Sequence, residues 1–342
     1  MPPTVVAIPE TDWSWQNVTT PRVLVTGATG MVGRAIVRAL HARRRPVRIL
    51  ARDRERARAL FGSSVEITVG DLGSAESLRR ACEGVGEIYH AAAALGFHAG
   101  GDAEIVETNV EGTKRLLAAA RASGVPQMIY TSSVAVYGDD LSSGVTEQTP
   151  VNPSSAYGRS KVLAETLMRE AVTAGMRCMI VRPCVIYGPG DRYFLPQSAW
   201  AVRLPVLPLP DGGRHVVDLV HADDVAAAHL LVMEAGQPGE AYNVTDGERY
   251  PLGDLLRWIA QALGRSPHFL PLSRRAARGI APLVRAAGVV GRIPQLAHIR
   301  QQDVAVFFGD YHYDISKIAS LGFAPRIHAR AGLQSVLAGS LA

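Results

Sequence analysis

In the stretch "SSAYGRSK", residues 154–161, a tyrosine stands four places before a lysine. Residues i and i+4 of a helix share a face, so Tyr157 and Lys161 point the same way. A free phenol ionises near pH ~10. A neighbouring ammonium stabilises the phenolate and lowers that value. A tyrosine tuned in this way gives or takes a proton at a carbonyl or alcohol oxygen. Ser132 and Ser133 close the preceding apolar run "QMIYTSS", and a hydroxyl on the same oxygen would steady its developing charge. The plainer alternative is a packed aromatic with a solvated lysine one turn on. Tyr-x-x-x-Lys alone is a common coincidence, so the decision rests on the chain around it.

Upstream, "VTGATGMVG" sets Gly27, Gly30 and Gly33 between the β-branched run "VLV" and a helical pattern from Met31 to about Arg43. One glycine permits a tight turn, a second admits a pyrophosphate close to the backbone, and a third lets helix and sheet pack closely. The helix start offers free N–H groups and a positive dipole end to phosphates. Gly27, Thr29, Gly30, Met31, Val32 and Gly33 are the expected contacts of a dinucleotide. The second strand ends "RILARD", with Ala51 and then Arg52 where an acid would bind a ribose 2′-hydroxyl. Arg52 can instead meet a 2′-phosphate through a charge-assisted hydrogen bond. Asp53, two places late, is free to cap the next helix. The pattern favours NADP(H) over NAD(H); otherwise Arg52 is only a solvated loop residue. In "VGDLGSAESL", Asp71 can accept the adenine amino group with Leu72 against the ring, or Asp71 can cap a turn. In "YHAAA", small Ala91, Ala92 and Ala93 border the expected cofactor path, and His90 reads as structural.

Short apolar runs alternate with helical patterns: "VLV", "PVRILA", "VEITVG", "EIYHAAA", "QMIYTSS" and "RCMIVRP" are strands, and "AEIVETNVEGTKRLLAAARASG" is one long helix. Such alternation predicts an α/β fold, a doubly wound parallel (Rossmann) sheet with helices on both faces. Gly175 suits a left-handed cap at the end of the tyrosine-bearing helix. Residues 1–20 read as an irregular extension and 21–185 as the dinucleotide-binding domain, with later returns near 215–247. Residues 186–342 read as a smaller, mostly helical substrate lobe, in which "RLPVLPLPDGGRH" forms irregular loops.

The 342 residues are 47% hydrophobic and 20% charged, enough for a large core. Three cysteines, Cys82, Cys178 and Cys184, have no metal or disulfide spacing and read as buried thiols of a reducing compartment. Net charge is +5, but the arginines are scattered over many helices and no basic stripe with interleaved aromatics appears. Nucleic acid is therefore not the expected partner. The chain start lacks a secretory pattern, so Asn17 in "NVT" is no glycosylation signal, and a cytoplasmic location is expected. No apolar run has membrane-spanning length. The arginine-rich "SRRAARGIAPLVRAAGVVGRIP", Ser273 to Pro294, reads as a helix expected to pack on the second lobe; the alternative is contact with a membrane surface.

Taken together, "TGATGMVG", "GDL", "YHAAA", "NVEGT", "YTSSVAVYG", "YGRSK", "VRPCVIYGPGD" and "LVHADDVAAAHL" make the chain from Arg22 to about Pro325 resemble the extended short-chain dehydrogenases/reductases. The resemblance implies Ser133, Tyr157 and Lys161 as the catalytic trio. Ser133 is preferred to Ser132 because it stands four places before the tyrosine of "VYG". It also implies Asn109 as a structural asparagine near the site, Pro183 and Val185 beside the cofactor, and a homodimer. Arg182-Pro183 and the tail "FFGDYHYDISKIASLGFAPRIHARAGL" are similar to the 3β-hydroxysteroid dehydrogenase branch. Nucleotide-sugar epimerases and dehydratases carry an asparagine where Val185 stands, and tend to hold NAD with an acid that is missing here. The expected substrate is a secondary alcohol or ketone on an apolar, sterol- or terpenoid-like molecule. Two rivals remain: a nucleotide-sugar epimerase or dehydratase, and a non-catalytic NADP(H)-sensing regulator, which would commonly have lost Tyr-x-x-x-Lys. Phe97 and His98 are candidate substrate contacts, Tyr193 and Trp200 either line the second lobe's pocket or pack in its core, His221 reads as structural, and Asp223 as the cap of the helix that follows. No metal site is expected.

Overall fold

The computed structural model describes residues 21–95, 101–139, 144–273, 276 and 312–341. Its first half alternates strand and helix: β1 (Arg22–Thr26), α1 (Met31–Ala42), β2 (Val47–Ala51), α2 (Arg54–Phe61), β3 (Glu66–Val69), α3 (Ala75–Cys82), β4 (Val85–His90), α4 (Gly101–Val106), α5 (Gly112–Ala122), β5 (Gln127–Thr131), α6 (Ala156–Thr173) and β6 (Arg177–Pro183). The second half runs β7 (Val185–Tyr187), α7 (Phe194–Ala201), β8 (Val206–Pro210), β9 (Val216–Val217), β10 (Leu219–His221), α8 (Ala222–Ala235), β11 (Ala241–Val244), β12 (Tyr250–Pro251), α9 (Leu252–Ala262), β13 (His268–Leu272), α10 (Ser316–Ala319) and α11 (Ala329–Leu341). The Asn17 motif, Phe97, His98 and, apart from Ser273 and Ala276, the Ser273–Pro294 segment lie outside the described residues.

Seven parallel strands form one sheet in the order β11-β6-β5-β4-β1-β2-β3. This is the doubly wound Rossmann arrangement. Strands buried on both faces need unbroken apolar runs, and every residue of β2 is buried. The chain order reverses between β1 and β4, which opens a crevice at the carboxyl ends of those strands. Local chemistry sets the helix starts. Asp53 accepts from Arg56 N at 3.0 Å to cap α2, and Ser155 accepts from Gly158 N at 3.0 Å to cap α6. Gly175, just past α6, adopts φ +90°, the left-handed conformation expected there.

Two elements differ from expectation. The long helix expected over 103–124 is divided by a π-helical turn, Glu107–Glu111, between α4 and α5. A π turn adds a residue to the helical ladder and shifts the face that follows. Asn109 sits in it, buried. The Pro-rich stretch taken for loops contains β8, which pairs in parallel with β13, Leu207 beside Phe269 and Leu209 beside Pro271. In a two-stranded ribbon proline's missing N–H can face away from the partner, so alternate prolines do not forbid pairing.

From β7 onward a separate core gathers Tyr187, Leu195, Leu209, Leu255, Ile259 and Leu333. Its described part mixes helices with short two-stranded ribbons, β10 with β7, β12 with β9 and β13 with β8. The chain also returns to the main sheet, where α8 packs on α1 and β11 joins β6. The cysteines are buried and free. Among the described residues no helix is long and apolar enough to cross a membrane, and no group of three or more His, Cys, Asp or Glu is placed to hold a metal.

Candidate active site

Helix α6 presents Tyr157, Lys161 and Glu165 at intervals of four toward the end of β5. Ser133 caps a short 3₁₀ turn, Val134–Val136, accepting from Ala135 N at 3.2 Å, and its side chain hydrogen-bonds Tyr157. Ser132 turns the other way and donates to Glu165 Oε1 at 2.6 Å. The structure thus brings Ser133, Tyr157 and Lys161 together and leaves Ser132 out of the group. Lys161 is 2% exposed. Its Nζ donates to the Thr131 carbonyl at 2.7 Å and lies 5.5 Å from the Tyr157 ring centroid and 4.7 Å from that of Tyr130.

The electrostatics depart from expectation. The Tyr157 phenol is pushed up to about 12 by burial, against the opposing Ser133 hydrogen bond, and is not lowered by Lys161. Burial drives Lys161 itself down to about 7, with the Glu165 charge opposing. The one apolar setting penalises both charged forms. Near neutral pH the lysine holds its proton only part of the time, so it lends the phenolate less than a full charge.

Beneath this group lies a charged pair that sequence reasoning missed. Arg182 meets Glu165 through Nε at 2.8 Å and Nη2 at 2.6 Å, and its Nη1 donates to Tyr137 Oη at 2.8 Å. Both partners of the pair are almost fully buried. Burial alone would raise the Glu165 carboxyl, but Arg182, Ser132 and Arg169 hold it below the usual carboxylate range. A signal for Glu165 was present: it is the next i+4 step along the Tyr157–Lys161 face.

At the crevice, Gly27 has φ +68°, and a Cβ there would fall 2.5 Å from Ala92 N and 2.6 Å from the Ala91 carbonyl carbon. A Cβ on Gly33 would lie 2.2 Å from the Gly27 carbonyl oxygen. Gly30 caps α1 with no side chain, and the first turn of α1 holds no acid. Its open N–H groups are left for an anion, so Gly27, Thr29, Gly30, Met31, Val32 and Gly33 fit a dinucleotide pyrophosphate. Ala91 and Ala92 line the turn beside Gly27, and Ala93 is exposed next to them. Arg52 is exposed at the end of β2 and pairs with no described carboxylate, while Asp53 is occupied as the α2 cap. Asp71 Oδ1 accepts from Gly73 N at 2.8 Å and Ser74 N at 3.1 Å, the turn-capping alternative, and Leu72 is buried against Gly112.

His90 is fully buried between Thr26 and Thr113. Asn109 accepts from Ala94 N at 2.7 Å and donates to Ala94 O and Ser160 Oγ, each at 2.9 Å. Pro183 ends β6, and Val185, at the start of β7, is partly exposed. Tyr193 and Trp200 are half-buried at the two ends of the α7 region. One capping assignment reverses. His221 Nδ1 accepts from Asp223 N at 3.2 Å and caps α8, while Asp223 pairs with Arg38 of α1 at 2.5 Å. Asp223 stands two places inside the helix, too late to serve as its cap.

A parallel sheet with a glycine cradle at its switch point and a Ser-Tyr-Lys group facing that edge defines a nicotinamide-dependent oxidoreductase fold. A model of the NAD dependent epimerase/dehydratase family matches residues 23–245, and the chain belongs to that family, the extended short-chain dehydrogenases/reductases. It is 37% identical over 269 residues to a protein named sterol demethylase protein B of Methylococcus capsulatus, covering 76% of this chain and 80% of the relative. It is 32% identical to a 4-hydroxy-2-methyl-3-oxo-4-farnesyl-3,4-dihydroquinoline-1-oxide ketoreductase of Stigmatella aurantiaca, covering 92% of this chain and 95% of that one. Among solved structures, a double mutant of a dTDP-glucose 4,6-dehydratase from Streptomyces venezuelae with NAD and DAU bound superposes with a TM-score of 0.75 at 26% identity, covering 93% of this chain and 96% of its own.

Proposed function

We propose that the chain is an NADP(H)-dependent oxidoreductase interconverting a secondary alcohol and a ketone on an apolar, sterol- or terpenoid-like molecule. One observation carries the reading: Tyr157, hydrogen-bonded by Ser133 and flanked by Lys161, stands at the sheet edge that also carries the glycine cradle. When bound, the nicotinamide supplies or accepts the hydride at the substrate carbon. Tyr157 exchanges the proton at the substrate oxygen, and Ser133 donates a hydrogen bond to that oxygen. Lys161 would hold the nicotinamide ribose from its place beside the Tyr157 ring. The ordinary benefit of such preorganised donors is largest where water is excluded.

The apolar substrate class is supported by the relatives named for a sterol and for a farnesylated quinoline oxide, and by Val185 in place of a polar residue. The NADP(H) preference is supported by exposed Arg52 and by Asp53 being occupied as a cap. A homodimer fits the exposed apolar Val106 and Leu163 on adjoining α4 and α6. The test is turnover of a 3β-hydroxysteroid with NADP⁺, and of a broader panel of apolar ketones with NADPH, by the wild type and Tyr157→Phe. Turnover that Tyr157→Phe lowers by a factor of about 100 or more supports the reading. Tight dinucleotide binding with no turnover of any panel member would leave a sensing protein. Nucleoside-diphosphate binding by calorimetry would move the assignment to sugar nucleotides.

A further inference from the structure

A buried chain of hydrogen bonds runs from the glycine loop to α6. Thr26 Oγ1, at the end of β1, lies 2.7 Å from His90 Nδ1, and His90 Nε2 lies 2.9 Å from Thr113 Oγ1. Thr113 Oγ1 donates to the Asn109 carbonyl at 2.6 Å. From Asn109 the path continues through Nδ2 to Ser160 Oγ at 2.9 Å, and Ser160 donates to the Tyr157 carbonyl at 2.7 Å. Thr26, His90, Thr113, Asn109 and Ser160 are all buried.

The proton positions follow from one end. A hydroxyl carries a single proton, and Thr113 commits its own to Asn109. Thr113 must then accept from His90, which places the ring hydrogen on Nε2. A neutral imidazole has one N–H, so Nδ1 is bare and accepts the Thr26 hydroxyl. An imidazolium would donate at both ends and leave the buried Thr26 proton without this acceptor, a costly arrangement. Burial, with the charge of Lys161 nearby, holds His90 down to about 3, which keeps the ring neutral.

We propose that His90 is a positioning residue whose Nε2–H tautomer fixes the register of α6, and so of Tyr157, against the dinucleotide loop. The proposal rests on the reading of Tyr157 as the acid/base. Asn109 gives the path its leverage. Its side chain also holds both backbone groups of Ala94, so one residue of the π turn ties the exit of β4 to the start of α6. Misplacing a reacting group by about 1 Å costs up to about 100-fold in rate.

The variants are Thr113→Val, which keeps the shape and removes the hydroxyl, and Thr113→Ser, which restores it. The readouts are amide hydrogen exchange over residues 155–161 in the cofactor-free chain, the NADPH dissociation constant, kcat with a 3-ketosteroid, and the ¹⁵N spectrum of the His90 ring. Thr113→Val should speed exchange about tenfold to 100-fold, the effect of losing the two buried hydrogen bonds to His90 and Asn109. It should lower kcat by about tenfold to 100-fold and leave NADPH affinity within about threefold, because the phosphates meet backbone N–H groups the variant does not touch. Thr113→Ser should recover exchange and kcat together. The ¹⁵N spectrum should show a bare Nδ1 and a protonated Nε2 with no titration from pH 5 to 9. Wild-type exchange in Thr113→Val, or a proton on Nδ1, overturns the proposal, and if Thr113→Val does not fold, the ring spectrum of the unaltered chain decides. If Tyr157→Phe keeps full turnover, the acid/base reading fails, while the exchange and ring data still judge His90 separately.

Discussion

Lys161 donates to Thr131 and stands over the rings of Tyr130 and Tyr157, so its ammonium has almost no water around it. Its pKa near 7 is the consequence, and it gives stability a definite pH dependence. Below pH ~7 folded and unfolded chains both hold the proton, and the burial cost is fully present. Between ~7 and the ordinary value near ~10.4, the unfolded chain binds more protons, so stability rises with pH. Lys161→Met is neutral throughout and lacks this term. Denaturant unfolding at pH 6 and 9 should therefore show the wild type gaining about 2–3 kcal/mol relative to Lys161→Met; parallel behaviour of the two proteins would refute the shift. Arg52 permits a second single-residue prediction. It is exposed, without an acidic partner among the described residues, at the end of the strand that follows the glycine-loop helix. Arg52→Ala should weaken NADPH by about tenfold to 100-fold, the value of one charge-assisted hydrogen bond, and NADH by less than about threefold. Equal losses in a titration with both dinucleotides would remove the argument for NADP(H).

At the scale of elements, α6 works because three side chains at steps of four reach different partners: Tyr157 meets Ser133, Lys161 meets Thr131, and Glu165 meets Ser132 and Arg182. The Glu165–Arg182 pair thus fastens the middle of α6 to β5 and β6, one turn on from Lys161. Removing one member of a buried pair strands the other's charge, at a cost of about 3–5 kcal/mol. Glu165→Ala should show that loss in denaturant unfolding, and Glu165→Gln, which retains hydrogen bonding to Arg182, a smaller one. Equal stability of Glu165→Ala and wild type would mean that Arg182 finds another partner. The same elements show what the sequence makes legible. Strand and helix from β1 to β6 alternate in pattern because buried parallel strands need unbroken apolar runs, and the glycine spacing marks the cradle. The π turn left no mark, since Glu107–Glu111 continues the helical periodicity on either side. β8 was hidden because alternate prolines usually signal loops, and its pairing with β13 depends on a partner some sixty positions away. Burial, a tertiary property, raised the Tyr157 phenol where the neighbouring lysine alone led to an expected lowering.

Across the whole molecule, three buried aspartates hold the last part of the chain. Asp218 accepts from Tyr313 N at 2.8 Å, Asp224 from Arg326 N at 3.2 Å and Ile327 N at 2.9 Å, and Asp246 from Ala329 N at 3.1 Å. These residues come from around β10, from the first turn of α8 and from just past β11, so one C-terminal segment is tied to the main sheet and to the second core together. The fit is close: a Cβ on Gly332 of α11 would carry a further contact at 2.9 Å with Ile327 Cγ2 and would overlap Tyr187 Oη of β7 at 2.2 Å. β7 begins two residues after Pro183, so bracing it also braces the wall expected to border the cofactor. Asp224→Ala leaves two backbone donors without their acceptor, at about 1–3 kcal/mol each. Its Tm should fall by about 3–10 °C, and amide exchange should rise over residues 326–341. Asp224→Asn, which keeps one acceptor oxygen, should lose about half as much. NADPH affinity should fall by less than about threefold in both, because none of these bonds touches the glycine loop and the β7 wall is reached only indirectly. If cofactor affinity instead fell in step with Tm, the C-terminal segment would be part of the binding apparatus and not a brace for it.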